Sequence, residues 1–228
     1  MTLGQWDTYH CYGMVLMTIV FFLVPSALLF AGVALISFTL LWISHWKDIR
    51  QLRPAGGYPN YITLIRSIGL LFVTAFASGI SNSILAIILL ILVVLDGVDG
   101  YLARRLNQRT EFGGLFDMET DALFVCIVSC LLLEKGLLGS WILVPAFIKY
   151  YYTVFTDLTG LNKGPEKRSL FGASVAVTMF LALILAFILP EKPRLIVALT
   201  GSTLICISFV YSLSRALNFR WKKKGKIE

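Results

Sequence analysis

Long stretches composed mostly of apolar residues constrain this chain more than any other feature of its sequence. They occur at about 14–43, 62–80, 83–98, 113–133, 138–157, 170–189 and 195–214. Stretches of about 18 or more apolar residues are typical of transmembrane helices. The pattern predicts an all-α integral membrane protein, in which the first stretch is one long tilted helix or two short helices broken near Pro25.

Charged residues are scarce in the chain as a whole. They make up 14% of the 228 residues, against about 25% in a soluble domain. No room is left for a separate soluble domain, so we expect a six-helix transmembrane core plus an additional N-terminal transmembrane segment. The predicted divisions are an N-terminal transmembrane segment at 1–46, a juxtamembrane amphipathic segment or linker at 47–59, the core at 60–220 and a basic tail at 221–228.

The positive charges predict the orientation of the chain in the membrane. Most of the 20 Lys and Arg residues lie in alternate connections and in the tail, and such a bias marks the cytosolic side. With a single N-terminal span, the N-terminus would lie on the opposite side. His10 and His45 are isolated in the sequence, and we expect them at the membrane interface. The net charge of +7 indicates topology and attraction to anionic lipid rather than binding of nucleic acid.

Four aspartates lie at the ends of two consecutive apolar stretches. Asp96 and Asp99 are three residues apart, and Asp117 and Asp121 are four apart, so each pair lies on one helical face. We expect the two helices to be antiparallel neighbours whose four carboxylates converge at the cytosolic boundary. Crowded carboxylates stay ionised together only when cations lie among them. Oxygen ligands without His or Cys suit Mg²⁺ or Mn²⁺, and two such ions could clamp a diphosphate.

Other assignments of these aspartates remain open at this point. They could be helix caps and salt-bridge partners of Arg104 and Arg105. A membrane prenyltransferase also uses Mg²⁺ and diphosphate, but we would expect a second acid-rich motif on a distant helix. A cation channel or transporter would favour acids distributed along a pore, whereas here they are confined to one compact cluster.

The stretch from Asp96 to Asp121 reads D-x-x-D-G-x-x-A-R-x8-G-x3-D-x3-D. It resembles the signature of the CDP-alcohol phosphatidyltransferases at every fixed position, and the resemblance extends over about 58–218. Pro59, Asn60, Thr63 and Arg66 resemble that family's entry into its first core helix. The resemblance implies a homodimer in a cell membrane, of the bacterial or archaeal inner-membrane type, with its active site facing the cytosol.

The resemblance also implies a reaction. The hydroxyl of a small polar alcohol, such as a phosphorylated polyol, would attack the lipid-bearing phosphorus of CDP-diacylglycerol or another CDP-linked lipid, and CMP would leave. Two divalent cations, Mg²⁺ or Mn²⁺, would be the cofactors, and Asp121 would be the catalytic base. The metal ligands would be Asp96, Asp99, Asp117 and Asp121, and the CDP pocket would comprise Asn60, Thr63, Asp96, Gly100, Ala103, Arg104 and Gly113.

Two alternatives to this interpretation of the family resemblance stay open. A CDP-activated headgroup could instead be transferred to diacylglycerol, or the chain could be an inactive member of the family that acts as a scaffold. The complete set of motif residues favours an active enzyme.

The acceptor site is less constrained by the sequence. Lys149 lies inside an apolar stretch, and an intramembrane lysine indicates a functional site. Lys163, Lys167 and Arg168 lie on the following connection. Together with Arg66 they could bind an anionic acceptor. Snorkelling of Lys149 is the alternative, and an amino-alcohol acceptor also remains open.

Overall fold

The computed structural model describes residues 1–51, 54–161 and 170–224, with side chains described for the same residues except Leu170 and 218–224. These residues form α-helices and short connections, and they contain no β-strand. The all-α prediction is confirmed. The helices are α1 (Leu3–Leu23), α2 (Ala27–Ser44), α3 (Trp46–Ile49), α4 (Tyr58–Phe76), α5 (Asn82–Arg105), α6 (Glu111–Glu134), α7 (Leu143–Leu158), α8 (Leu170–Leu185) and α9 (Glu191–Lys224).

Several helices are suited to a lipid bilayer. Among the described residues, the segments long and apolar enough to cross a membrane are Ala27–Ser44, Tyr58–Gly79, Asn82–Arg105 and Glu191–Leu217. A shorter apolar segment covers Phe171–Leu185. The chain is therefore an integral membrane protein. The six apolar stretches predicted from residue 62 onward fall in order on α4 to α9. The helix α6 carries several acidic residues and α7 has 16 residues, so neither is among the long apolar segments.

The N-terminal apolar stretch forms two helices, the second of the two options that the sequence left open. Pro25 lies between α1 and α2, where its missing N–H interrupts a helix. The Ala27 N–H, at the start of α2, donates to the Glu134 carboxylate at the end of α6 and so satisfies one of the exposed N–H groups of the helix. Trp6 Nε1 donates to the Ser37 carbonyl at 3.0 Å, so α1 and α2 run antiparallel.

This hairpin corrects the expected position of the N-terminus. The prediction assumed a single N-terminal span, which would leave the two ends of the segment on opposite sides. Because α2 reverses the direction of α1, the start of α1 lies at the same end of the bundle as the end of α2. Ring contacts at that end join Trp42 of α2 to Phe112 near the start of α6, with centroids 5.5 Å apart.

The helix α6 lies at the centre of the bundle, where it packs against α2, α4, α7 and α8. Every residue from Leu123 to Leu132 is buried, and a helix that is apolar on all sides is suited to such a position. The helix α4 packs against both α5 and α6, whereas α5 and α6 make little contact with each other. The predicted direct pairing of α5 with α6 is therefore wrong, because α4 lies between them.

In the segment predicted to be juxtamembrane, 47–59, the residues that the structure describes include one turn of regular helix before α4, which belongs to α3. The guanidinium of Arg50 lies 5.1 Å from the centroid of the Trp46 ring, and Ile49 is buried. Residues 52–53 lie outside the described part of the chain. Pro59 occupies the first turn of α4, where a proline is tolerated because that N–H has no partner within the helix.

Candidate active site

The four aspartates lie where α5 ends and α6 begins. Thr110 Oγ1 accepts the Gly113 N–H at 2.9 Å and so caps the start of α6. The spacing within each pair directs both of its carboxylates to one side of the helix that carries it. Both sides face α4, so three helices contribute to the site.

Arg66 of α4 lies among the four carboxylates. Its Nη1 is 2.7 Å from Asp96 Oδ1, 3.2 Å from Asp99 Oδ2 and 3.3 Å from Asp117 Oδ1. Its Nη2 is 2.7 Å from Asp121 Oδ1. The side chain is only 3% exposed. One buried guanidinium therefore holds the carboxylates of α5 and α6 together.

Two further hydrogen bonds fix the orientation of this cluster. Thr63 Oγ1 donates to Asp99 Oδ2 at 3.0 Å, one turn before Arg66 on α4. Arg66 Nε donates to the Leu92 carbonyl at 3.2 Å, so the guanidinium is also hydrogen-bonded to the backbone of α5. The arrangement is consequently anchored on regular helices rather than on loops.

The donor set fits a hard divalent cation. Asp96, Asp99 and Asp117 each bring one carboxylate oxygen to within 4.8 Å of the other two. Carboxylate oxygens are preferred ligands of Mg²⁺ and Mn²⁺. Four carboxylates, when ionised, also carry more negative charge than one guanidinium neutralises, and this excess attracts further cations.

The four carboxylates differ in their access to solvent. The Asp99 side chain is 5% exposed, whereas Asp96 and Asp117 are 25% and 22% exposed. Asp121 is the most open at 31%. Asp121 therefore has the largest accessible side-chain fraction of the four, and Asp99 has the smallest.

Residues of α4 that were predicted to line a nucleotide pocket are buried beside the cluster. Asn60 and Thr63 are 4% and 2% exposed, and Asn60 Nδ2 donates to the Gly56 carbonyl at 2.9 Å. A Cβ atom at Gly113 would collide with the Asn60 side chain. Gly113 thus permits the close approach of α6 to α4, which holds the aspartates of α6 near Arg66.

The predicted pocket residues of α5 lie on the more open side. Ala103 is half-buried and Arg104 is exposed. A Cβ atom added at Gly97 would meet no atom within 4 Å, and one added at Gly100 would meet Arg104 Nη1 at 3.7 Å. This part of α5 therefore leaves space next to Asp96 and Asp99.

The predicted acceptor residues are not all brought together. Arg66 lies in the cluster, but Lys149 of α7 contacts Glu119 and lies 3.7 Å from Asp7 Oδ1. Glu119 is two residues from Asp117, which is about 200° around a helix, so Lys149 lies against the opposite face of α6. The other members of that predicted set, Lys163, Lys167 and Arg168, lie outside the described residues.

Sequence reasoning missed the central position of Arg66 and the role of Glu119. The sequence places Arg66 at the entry into the first core helix and in the acceptor set, and it assigns no partner to Glu119. Both residues lie within apolar stretches, and a charged residue there requires a partner of opposite sign. That rule would have paired Arg66 with the aspartates, and Glu119 with Lys149.

The chain is similar to a known protein family and to several known proteins. The model of the CDP-alcohol phosphatidyltransferase family matches residues 57–213. A protein of Wigglesworthia glossinidia brevipalpis named CDP-diacylglycerol–glycerol-3-phosphate 3-phosphatidyltransferase is 37% identical over 93 residues, which cover 40% of this chain and 50% of that protein. A protein of the same name from Haemophilus influenzae is 38% identical over 93 residues, with the same coverage of both chains.

Other comparisons carry less functional information. An uncharacterized protein of Aquifex aeolicus is 47% identical over 64 residues, which cover 28% of this chain and 32% of that protein. No solved structure matches the chain. In the two named relatives above, the matched segment spans about half the length of the relative.

The family match covers more than half of the chain and includes the whole aspartate motif. It also includes Arg66 and Thr63, which bind the aspartates in the structure. The chain therefore belongs to the CDP-alcohol phosphatidyltransferase family.

Proposed function

We propose that this protein transfers a phosphatidyl group from CDP-diacylglycerol to the hydroxyl of a small polar alcohol and releases CMP. Glycerol 3-phosphate is our first candidate for the acceptor, because it appears in the names of the relatives. The observation that carries the proposal is the meeting of four motif carboxylates around one buried guanidinium.

In this proposal Asp96, Asp99 and Asp117 hold the divalent cations. Their oxygens lie within 4.8 Å of one another, which supports a shared ion. A cation bound there would neutralise the diphosphate and improve CMP as a leaving group. The open space beside Gly97 and Gly100 supports entry of the diphosphate next to these ligands.

Asp121 acts as the general base in the proposed reaction. It accepts the proton of the acceptor hydroxyl while the acceptor oxygen forms a bond to the phosphorus that bears the diacylglycerol. The bond between that phosphorus and the CMP oxygen breaks, and CMP leaves with the bonding electrons. Asp121 is the most exposed of the four carboxylates, which supports its access to an incoming alcohol.

Arg66 would bind the anionic group of the acceptor. In the structure its guanidinium neutralises the aspartates, and cations bound to those aspartates would compete with it. An arginine released in this way suits a phosphate group, because its planar donors match the phosphate oxygens. We assign no acceptor role to Lys149, because Glu119 and Asp7 already neutralise it.

An apolar groove beside the cluster supports a lipid donor. It has a volume of about 550 Å³ and lies between Phe38 and Trp42 of α2 and Leu64 of α4. Its lining also includes Ser67 and Phe116, which directly follow Arg66 and directly precede Asp117. The groove therefore adjoins the site where the phosphate would react, and we propose that it holds an acyl chain of the donor.

The test is an acceptor screen with the purified full-length chain in lipid vesicles. CDP-diacylglycerol and Mg²⁺ or Mn²⁺ are supplied with glycerol 3-phosphate, other polyol phosphates or amino alcohols, and CMP and product lipid are both measured. We expect equal amounts of CMP and product lipid with one acceptor. CDP-activated headgroups with diacylglycerol are tested in parallel.

Several outcomes would overturn the proposed function. Turnover only with a CDP-activated headgroup and diacylglycerol would reverse the roles of donor and acceptor. Release of pyrophosphate from an added prenyl diphosphate, without CMP formation from CDP-diacylglycerol, would indicate a prenyltransferase. Flux of Mn²⁺ into the same vesicles without turnover would indicate a channel or transporter.

A further inference from the structure

A second group of ionisable side chains lies inside the bundle, away from the four aspartates. It consists of Asp7 and His10 of α1, Glu119 of α6 and Lys149 of α7, which we call the buried ionic cluster. Lys149 contacts Glu119, and its Nζ lies 3.7 Å from Asp7 Oδ1. His10 Nε2 lies 3.5 Å from Glu119 Oε2. His10, expected at the membrane interface, is instead 4% exposed.

The location of Glu119 links this cluster to the proposed active site. Glu119 lies midway between Asp117 and Asp121 in the sequence. Two residues correspond to about 200° of rotation around a helix, so Glu119 points away from both aspartates. One turn of α6 therefore bears reactive carboxylates on one face and a fully buried glutamate, 0% exposed, on the other.

Because Glu119 is buried, the orientation of its side chain is constrained. An ionised carboxylate in an apolar interior requires a cationic partner, and breaking such a pair leaves an uncompensated charge. A rotation of α6 that moved Asp117 and Asp121 would also draw Glu119 away from Lys149. The same pair that satisfies Glu119 thus opposes rotation of the two aspartates.

The N-terminal hairpin takes part in this arrangement. Asp7 and His10 lie on α1, outside the residues that the family model matches. His10 is itself held by Ser37 of α2, with Nδ1 and Oγ 2.8 Å apart, and its ring stacks on Trp6 with centroids 4.7 Å apart. The helix α1 therefore completes the surroundings of Glu119, and α2 holds His10 in place through Ser37.

We propose that Glu119 is a positioning residue, and that its ion pair with Lys149, completed by Asp7 and His10, sets the rotation of α6 and thereby the placement of Asp117 and Asp121 for metal binding. This inference rests on the proposed function only in that the aspartates bind divalent cations. It gives the N-terminal hairpin a direct part in the geometry of the active site.

The test measures binding of Mn²⁺ to the purified full-length chain without substrates, by the electron paramagnetic resonance signal of the free ion. Lys149→Met leaves the buried Glu119 carboxylate without its cationic partner. Glu119→Gln removes the ion pair, while Asp7 still lies beside Lys149. We expect each to weaken Mn²⁺ binding by about 10–100-fold, the usual effect of losing a group that orients metal ligands. In Glu119→Gln/Lys149→Met the fully buried carboxylate is also gone, and the acidic group that loses its contact with Lys149 is Asp7, which is 19% exposed. Mn²⁺ should therefore bind more tightly than in Lys149→Met.

Tyr12→Phe is the matched control. Tyr12 donates to Asp157 Oδ2 at 3.0 Å, so this bond also joins α1 to α7 but does not involve α6. The variant should lower the melting temperature and leave the Mn²⁺ dissociation constant unchanged. If the buried ionic cluster only stabilises the fold, Glu119→Gln should likewise lower the melting temperature and leave the Mn²⁺ dissociation constant unchanged.

The outcomes separate this inference from the proposed function. If the unsubstituted protein binds no Mn²⁺, the metal-dependent function fails. If it binds Mn²⁺ and the folded single variants bind it equally well, the positioning role is refuted while the function stands. If the single variants do not fold, Mn²⁺ binding is measured instead in Asp7→Asn and in Glu119→Gln/Lys149→Met. An Mn²⁺ affinity equal to that of the unsubstituted protein in both of these variants would refute the inference.

Discussion

Arg66 determines how the four aspartates coexist within the bundle. Its guanidinium lies within 3.3 Å of an oxygen of each of them. Like-charged groups at such separations repel strongly when little water is present to screen them. Arg66 therefore stabilises the cluster, and it also competes with any cation that binds to the same oxygens.

Replacing Arg66 by alanine tests this competition. We expect Arg66→Ala to bind Mn²⁺ more tightly by about tenfold or more, because removal of a positive charge beside the ligands favours the incoming cation. Its thermal stability should depend more strongly on divalent cations than that of the unsubstituted protein. Mn²⁺ titrations followed by paramagnetic resonance and by melting temperature measure both effects.

Arg66→Lys is the control, because it keeps the charge while losing the planar set of donors. Its Mn²⁺ affinity should stay close to that of the unsubstituted protein, whereas the KM for an anionic acceptor should rise. Weaker Mn²⁺ binding by Arg66→Ala would mean that Arg66 supports the metal site instead of competing with it.

Asp121→Asn removes the proposed base without changing the size of the side chain. We expect the rate of CMP formation at saturating substrates to fall by about 10²–10⁴-fold, the usual contribution of a positioned acid or base. Binding of CDP-diacylglycerol, measured by calorimetry, should be largely retained. An unchanged rate in Asp121→Asn would refute the role of Asp121 as the base.

Asp96→Asn should have a different effect, because Asp96 is a proposed metal ligand. We expect this variant to weaken metal-dependent nucleotide binding.

At the residue scale, the sequence predicted the aspartates better than their cationic partners. Two pairs at helical spacing could be placed on two helical faces from the sequence alone. The partner of Lys149 could not be found in that way, because Asp7 and Glu119 lie far from it in the chain. Such pairings depend on which helices pack together, and periodicity does not encode that.

At the scale of elements, the order of the helices was predictable, but their packing was not. The apolar stretches gave α4 to α9 in sequence, and Pro25 marked the break between α1 and α2. The insertion of α4 between α5 and α6 depends on close contacts. A Cβ atom at Gly69 of α4 would lie 2.9 Å from Leu92 Cδ2 of α5, so the missing side chain lets these two helices approach.

The groove between α2 and α4 yields a prediction about the lipid donor. Thr39 of α2 lines it, and Thr39→Trp should fill part of its volume. We expect the KM for long-chain CDP-diacylglycerol to rise severalfold, because about 0.8 kcal/mol of transfer free energy is lost for each CH₂ group that can no longer be buried. A short-chain CDP-diacylglycerol should be affected much less, since its acyl chains extend less far along the groove.

Leu40→Trp is the control for steric effects on the same helix. Leu40 is 54% exposed and does not contribute to the lining of the groove, so its replacement should leave both KM values unchanged. Equal effects of Thr39→Trp on long-chain and short-chain donors would indicate that the groove does not hold an acyl chain.

At the scale of the whole molecule, two clusters of ionisable side chains lie on opposite faces of α6. One site is open and acidic, with Arg66 as its buried cation, and the other is buried and nearly balanced in charge. The bundle around them exposes much apolar surface. In the apolar part of α9, only 17% of the residues are buried. Lipid can cover that surface; the homodimer implied by the resemblance stays a prediction.

The most direct test of the central claim is the dependence of CMP formation on divalent cations. The purified chain is assayed with CDP-diacylglycerol and glycerol 3-phosphate after exhaustive chelation, and again after Mn²⁺ or Mg²⁺ is restored. We expect turnover to disappear with chelation, to return with the metal, and to stay absent in Asp96→Asn/Asp99→Asn/Asp117→Asn. Full turnover in the chelated protein, or in that triple variant, would contradict a metal site formed by the aspartates of α5 and α6.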